Sequence, residues 1–126
     1  MEIAVIVIVI IGHWLADYIF QTNESIVDKG KDFVNVIHHV SQYTTVMTAL
    51  MVILIAFGVI TTQSWFFIIN FWIFTFAFHL LVDYFSSKLT LRIKTEEFKF
   101  GYFSIISTDQ MVHIVSLFLT ISYLFY

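Results

Sequence analysis

The chain has 126 residues and a formal net charge of -3; 60% of it is hydrophobic, 19% aromatic and only 12% charged, with mean hydropathy +0.90. Soluble domains carry about 25% charged residues, so this composition excludes an ordinary soluble domain and points to an integral membrane protein. The absence of cysteine excludes a disulfide framework and thiolate metal sites, which leaves nitrogen and oxygen ligands for any metal.

Four apolar stretches approach the roughly 20 residues that a bilayer-spanning helix requires. Taken in chain order they lie at about 3–21, 33–60, 64–88 and 104–126. The first begins beside Glu2, with no basic region before it and no small-residue cleavage pattern after it, and is expected to be retained rather than removed as a signal peptide. The polar stretch 22–32, containing Gly30, connects it to the second segment; the triplet TTQ at 61–63 makes a tight hairpin to the third; and KLTLRIKTEEFKFGY at 88–102 leads to the fourth. Lipid offers no partners for backbone N–H and C=O groups, so helices are expected even where β-branched residues dominate. The expected fold is all-α: a single transmembrane four-helix domain over residues 1–126.

Orientation follows from the basic residues. Lys29, Lys31, Lys88, Arg92, Lys94 and Lys99 all fall in or beside the first and third connections. The positive-inside bias makes that side cytoplasmic and puts both termini outside, as expected for an inner membrane of a bacterial cell. Trp65 and Tyr126 suit the outer interface.

Every helix carries polar side chains near its cytoplasmic end. His13 and Asp17 stand four apart on one helix face, as do His79 and Asp83; Asp109 and His113 have the same spacing in reverse order. The second segment adds His38 and His39, of which His39 is expected to point inward. At 1.5 Å rise per residue all lie about 6 to 14 Å inside the inner leaflet, in one layer. An internal repeat, H-x-L-x-D-Y at 13–18 and 79–84, suggests two parallel-repeated helical hairpins related by a pseudo-twofold axis along the membrane normal.

An aspartate at the centre of a membrane helix costs about 2.5 to 3.5 kcal/mol on insertion scales, so three of them must be paired, hydrated or bound to cations. Histidines and aspartates on facing helices are the ligand set of Zn, Mn or Fe sites in bundles. The expected metal ligands are His13, Asp17, His39, His79, Asp83, Asp109 and His113, enough for one or two divalent ions. Asp17, Asp83 and Asp109 are the candidate catalytic carboxylates. Gln21, Asn23, Gln42 and Gln110 are read as capping or orienting groups, Asn70 as structural, and Ser86 and Ser87 as lacking an activating base. The competing reading is a set of metal-free Asp–His pairs serving as a proton or ion relay.

The strings H-W-L-A-D-Y-x-x-Q-T at 13–22, H-x-x-x-Y at 39–43, F-H-L-L-V-D-Y at 78–84 and D-Q-x-x-H at 109–113 resemble a family of small bacterial and phage membrane proteins catalogued as a domain of unknown function. The resemblance spans nearly the whole chain and implies that these histidines and aspartates form the family's polar set. More distantly, the architecture is similar to that of membrane-bound metal-dependent hydrolases. The connection SSKLTLRIKTEEFK departs from the pattern in length and charge.

The function expected on these grounds is hydrolysis of a phosphorylated or lipid-like substrate at the cytoplasmic leaflet, assisted by one or two divalent ions (Zn, Mn or Fe). The alternatives are a metal-ion or proton transporter or channel, and a non-enzymatic membrane factor with a structural metal. Membrane lipid is the expected partner, with self-association of the small bundle; nucleic acid is not expected, because Glu96 and Glu97 dilute the basic connection.

Overall fold

The computed structural model describes residues 3–20, 32–61, 65–93 and 99–125. Four helical rods make up the described chain: α1 (Ile3–Trp14, continued by a π-helical turn Leu15–Ile19), α2 (Phe33–Ala56), α3 (Phe66–Ile93) and α4 (Lys99–Phe125). Helices α2 and α3 and the Phe100–Leu124 part of α4 are long and apolar enough to span a membrane, and Ile3–Ile19 is a shorter apolar helix. These lengths agree with membrane localisation. The connections at 21–31 and 94–98, with the expected roles of Gln21, Asn23 and the Lys94 to Glu97 stretch, lie outside the described residues, as do most of TTQ and Tyr126.

Local chemistry sets several ends. Asp32 caps α2, its carboxylate accepting from the Val34 N–H at 3.0 Å. Helix α2 stops at Ala56, short of the expected 60, because Gly58 adopts φ 67°. The Val59 N–H bonds to Leu54 O and the Gly58 N–H to Ile55 O, both at 2.9 Å, the paired arrangement of a Schellman ending. Ile60 then folds back into the core. Helix α4 begins at Lys99, earlier than the expected 104. Lys99, Gly101 and Tyr102 keep the hydropathy of this first turn low, so the apolar run does not register before 104.

Contacts run antiparallel between neighbours. Gly12 faces Met47 and Leu50, His13 faces Tyr43, and Asp17 faces His39; Phe74 meets Tyr123 while Asp83 meets His113. A Cβ at Gly12 would collide with the Leu50 side chain. The missing side chain therefore lets α1 lie close to α2 one residue before His13.

The interior has two zones. Toward the end where α1 starts and α2 finishes, Val5, Val9, Met51, Leu54, Phe67 and Phe71 form an apolar core. Toward the other end the polar side chains His13, Asp17, His39, His79, Asp83, Ser87 and His113 are buried together with Ala16, Val36, Val40 and Tyr43. The exterior is apolar: Val7, Ile10, Ile53, Trp72, Ile73 and Leu119 are exposed. Polar inside and apolar outside is the distribution that lipid favours. Hydrocarbon solvates those outer side chains as well as a protein core does, so close packing and internal polar contacts hold the rods together.

Candidate metal centre

Each polar residue reaches the centre by its place on a helix. Asp17 sits in the π-turn of α1, where the wider winding interrupts the α-helical register just after His13. Such turns are often found at functional sites. On α2 the adjacent histidines diverge: His39 is fully buried and His38 is exposed. Helix α3 buries Thr75, His79, Asp83 and Ser87 at successive four-residue steps, a single inward stripe. On α4, His113 is buried and Asp109, one turn away, keeps 11% of its side chain exposed.

Three atoms from three rods make a near-equilateral triangle. His39 Nε2 lies 3.1 Å from Asp17 Oδ1, His79 Nε2 lies 3.5 Å from the same oxygen, and the two nitrogens are 3.3 Å apart. A tetrahedral ion with metal–ligand bonds of about 2.0 to 2.1 Å spaces its ligands by about 3.3 Å. Asp83 Oδ2 also approaches both nitrogens, at 3.2 Å from His39 Nε2 and 3.6 Å from His79 Nε2. On the other side of the same carboxylate, Asp83 Oδ1 lies 3.0 Å from His113 Nε2, which is 3.4 Å from Asp109 Oδ2. The groups Asp17, His39, His79 and His79, Asp83, His113 are each close enough to hold a metal ion.

The donor set is compatible with a bound cation. A neutral imidazole has one N–H and one lone pair, and two Nε2 atoms set 3.3 Å apart while both approach carboxylates share a focus that a single N–H···O bond cannot satisfy. Buried polar atoms normally have partners, yet among the described residues His39 Nδ1, His113 Nδ1 and Asp109 Oδ1 are buried without a hydrogen bond.

His13 lies in the same layer with both ring nitrogens engaged. Gln110 Nε2 donates to Asp17 Oδ2 at 2.7 Å, so its Oε1 faces His13 Nε2 at 3.2 Å and accepts from it. In a neutral ring Nδ1 is then the acceptor, receiving the Tyr43 hydroxyl at 2.8 Å. Tyr43, His13 and Gln110 thus form a hydrogen-bonded chain ending on Asp17, the kind of support that orients a ligand carboxylate. Gln110 was legible in the sequence as an orienting group. Tyr43 entered only as the end of H-x-x-x-Y; its four-residue spacing from His39, which puts it on the inward face, was the signal for its role.

The remaining polar residues behave locally. Ser86 and Ser87 both donate to the Asp83 carbonyl, the back-bonding of helical serines, and Asn70 donates to Phe66 O at 3.0 Å. Among the phenylalanines of α3, Phe67 and Phe71 are buried, whereas Phe66, Phe74 and Phe78 are exposed.

Over residues 5–126 the chain matches the model of the family described as "Protein of unknown function (DUF3307)", and it belongs to that family. No curated protein and no solved structure matches it.

Proposed function

We propose that this chain is an intramembrane divalent-metal protein, and that its centre hydrolyses a phosphorylated or lipid-like substrate drawn from the cytoplasmic leaflet. The triangle of Asp17, His39 and His79 donors carries the metal assignment. Asp17, His39, His79 and Asp83 would hold the ion, and when bound it supplies a Lewis acid and lowers the pKa of its water toward about 7.

The protein's own groups supply the rest. Burial of the layer keeps bulk water away from the donors, and the Tyr43–His13–Gln110 chain holds Asp17 in place. An open surface groove of about 460 Å³ between α3 and α4 is walled by Leu81, Phe85, Leu89 and Ile105 and reaches the Asp109 carboxylate. That volume suits a small-molecule ligand, and its apolar walls favour an amphiphile whose hydrocarbon lies along the groove. Asp109 is the aspartate that lines the groove, so it is assigned the proton taken from the attacking water. Lys88 and Arg92 are exposed at the same end of α3, placed to attract an anionic head group.

Transport is the less favoured reading. A permeating ion would have to pass the apolar zone of Val5, Val9, Met51, Leu54, Phe67 and Phe71, which offers no charge to replace its hydration. The test uses the full chain purified in detergent with Mn²⁺ or Zn²⁺. Bound metal, together with chelator-sensitive hydrolysis of phosphoester or lipid substrates in mixed micelles that Asp109→Asn lowers at least tenfold, supports the proposal. Metal-free protein overturns it. So does metal flux into liposomes without hydrolysis.

A further inference from the structure

Asp83 presents its two oxygens to different histidines. Oδ2 faces His39 and His79, whereas Oδ1 faces His113 at 3.0 Å. His113 Nε2 also lies 3.4 Å from Asp109 Oδ2. His79 and His113 stack nearly parallel, with ring centroids 3.9 Å apart and planes 14° from each other. Both Nε2 atoms approach the same carboxylate, so the two rings point their donor nitrogens the same way. Cations held by two such rings would be separated by about the ring spacing, and a carboxylate-bridged ion pair is about 3.5 to 4 Å apart.

From this we propose a second cation position, held by Asp83 Oδ1, His113 Nε2 and Asp109 Oδ2 and bridged through Asp83 to the ion of Asp17, His39 and His79. It rests on the metal reading above and deepens it. One imidazole nitrogen binds one ion, so the second position cannot borrow His79 and needs the donors that α4 supplies. Charge argues the same way. Three carboxylates with one divalent ion leave the buried layer at net minus one; with two ions it carries net plus one, which an anion completes. The ligand class that follows is a phosphate or phosphoester oxygen placed between two cations, entering from the groove at Asp109. Asp109 Oδ1, buried without a partner among the described residues, stays available for the proton while Oδ2 faces the ion.

The experiment is metal analysis with electron paramagnetic resonance on the full chain loaded with Mn²⁺ in detergent. Two Mn²⁺ per chain and an exchange-coupled, many-line spectrum are expected, with Asp109→Asn and His113→Ala each falling to one Mn²⁺ and an isolated six-line signal. Inorganic phosphate should perturb the coupled spectrum of the wild type and leave the six-line signal of Asp109→Asn unchanged. One Mn²⁺ per chain in the wild type, with the six-line signal, overturns the second position while leaving the first. No bound Mn²⁺ overturns both. The wild-type spectrum decides the matter even if either variant fails to fold.

Discussion

Set side by side, the two helical hairpins are built alike and used differently. The α1–α2 hairpin pairs Asp17 with His39 at 3.1 Å, and the α3–α4 hairpin pairs Asp83 with His113 at 3.0 Å. His13 and His79 then occupy equivalent places four residues before their aspartates, but their surroundings differ. Tyr43 stands where the second hairpin has Leu117, and Gln110 stands where the first has Val36. These two departures from the repeat both converge on His13, whose nitrogens they occupy. His79 instead receives the face of the Tyr43 ring, stacked at 3.8 Å, and keeps Nε2 directed at the carboxylates. A third departure, Asp109 in place of Asn35, gives the second hairpin an extra acid. Small asymmetries in the repeat engage both nitrogens of His13 and leave Nε2 of its twin facing the carboxylates.

Asp83 joins the hairpins, and its loss should have the largest effect. Asp83→Ala strips the shared partner from His39, His79 and His113, and should destabilise the bundle by about 3 to 5 kcal/mol; thermal unfolding in detergent reads the loss, and metal analysis should find the centre empty. Next come the twin histidines. His79→Ala should abolish tight metal binding, whereas His13→Ala should keep the stoichiometry and weaken affinity about 10- to 100-fold in a chelator competition; equal losses would show that the twins are used alike.

Packing distinguishes the hairpins too. Where α3 has the exposed Phe78, α1 has Gly12 against Leu50 and Met47. Gly12→Leu should cost about 1 to 3 kcal/mol by overpacking, and should loosen metal binding by moving His13 and Asp17 away from α2. Tyr43→Phe removes one bond of the supporting chain and should cost about 1 kcal/mol. Its effect on metal affinity should vanish in a His13→Ala background, since both residues act through Asp17. Smallest of all, His38→Ala should shift stability by less than about 0.5 kcal/mol with metal content unchanged, in contrast to its neighbour His39.

Much of this was open to a reading of the residues alone. Apolar runs of spanning length and the demand that every backbone group be satisfied inside lipid are enough to require helices. The four-residue spacing of His13 with Asp17, His79 with Asp83 and Asp109 with His113 places each pair on one face, because helical geometry is local. The recurrence of the pairs near the same ends of the rods makes a single layer. Gly58 is a stop signal for α2 that hydropathy hides, since apolar residues on both sides of it sustain the pattern past the helix end.

The helical rods, their polar ends and the depth at which acids and imidazoles gather follow from the helix period and from lipid as solvent. Tertiary structure alone decided which nitrogens share a focus, that Asp83 faces both sides, and that Tyr43 and Gln110 withdraw His13 from it. Those outcomes depend on how far each rod is rotated and how closely it approaches its neighbour. The close approach at Gly12 and the π-turn in α1 bear on both, and residue spacing does not encode them.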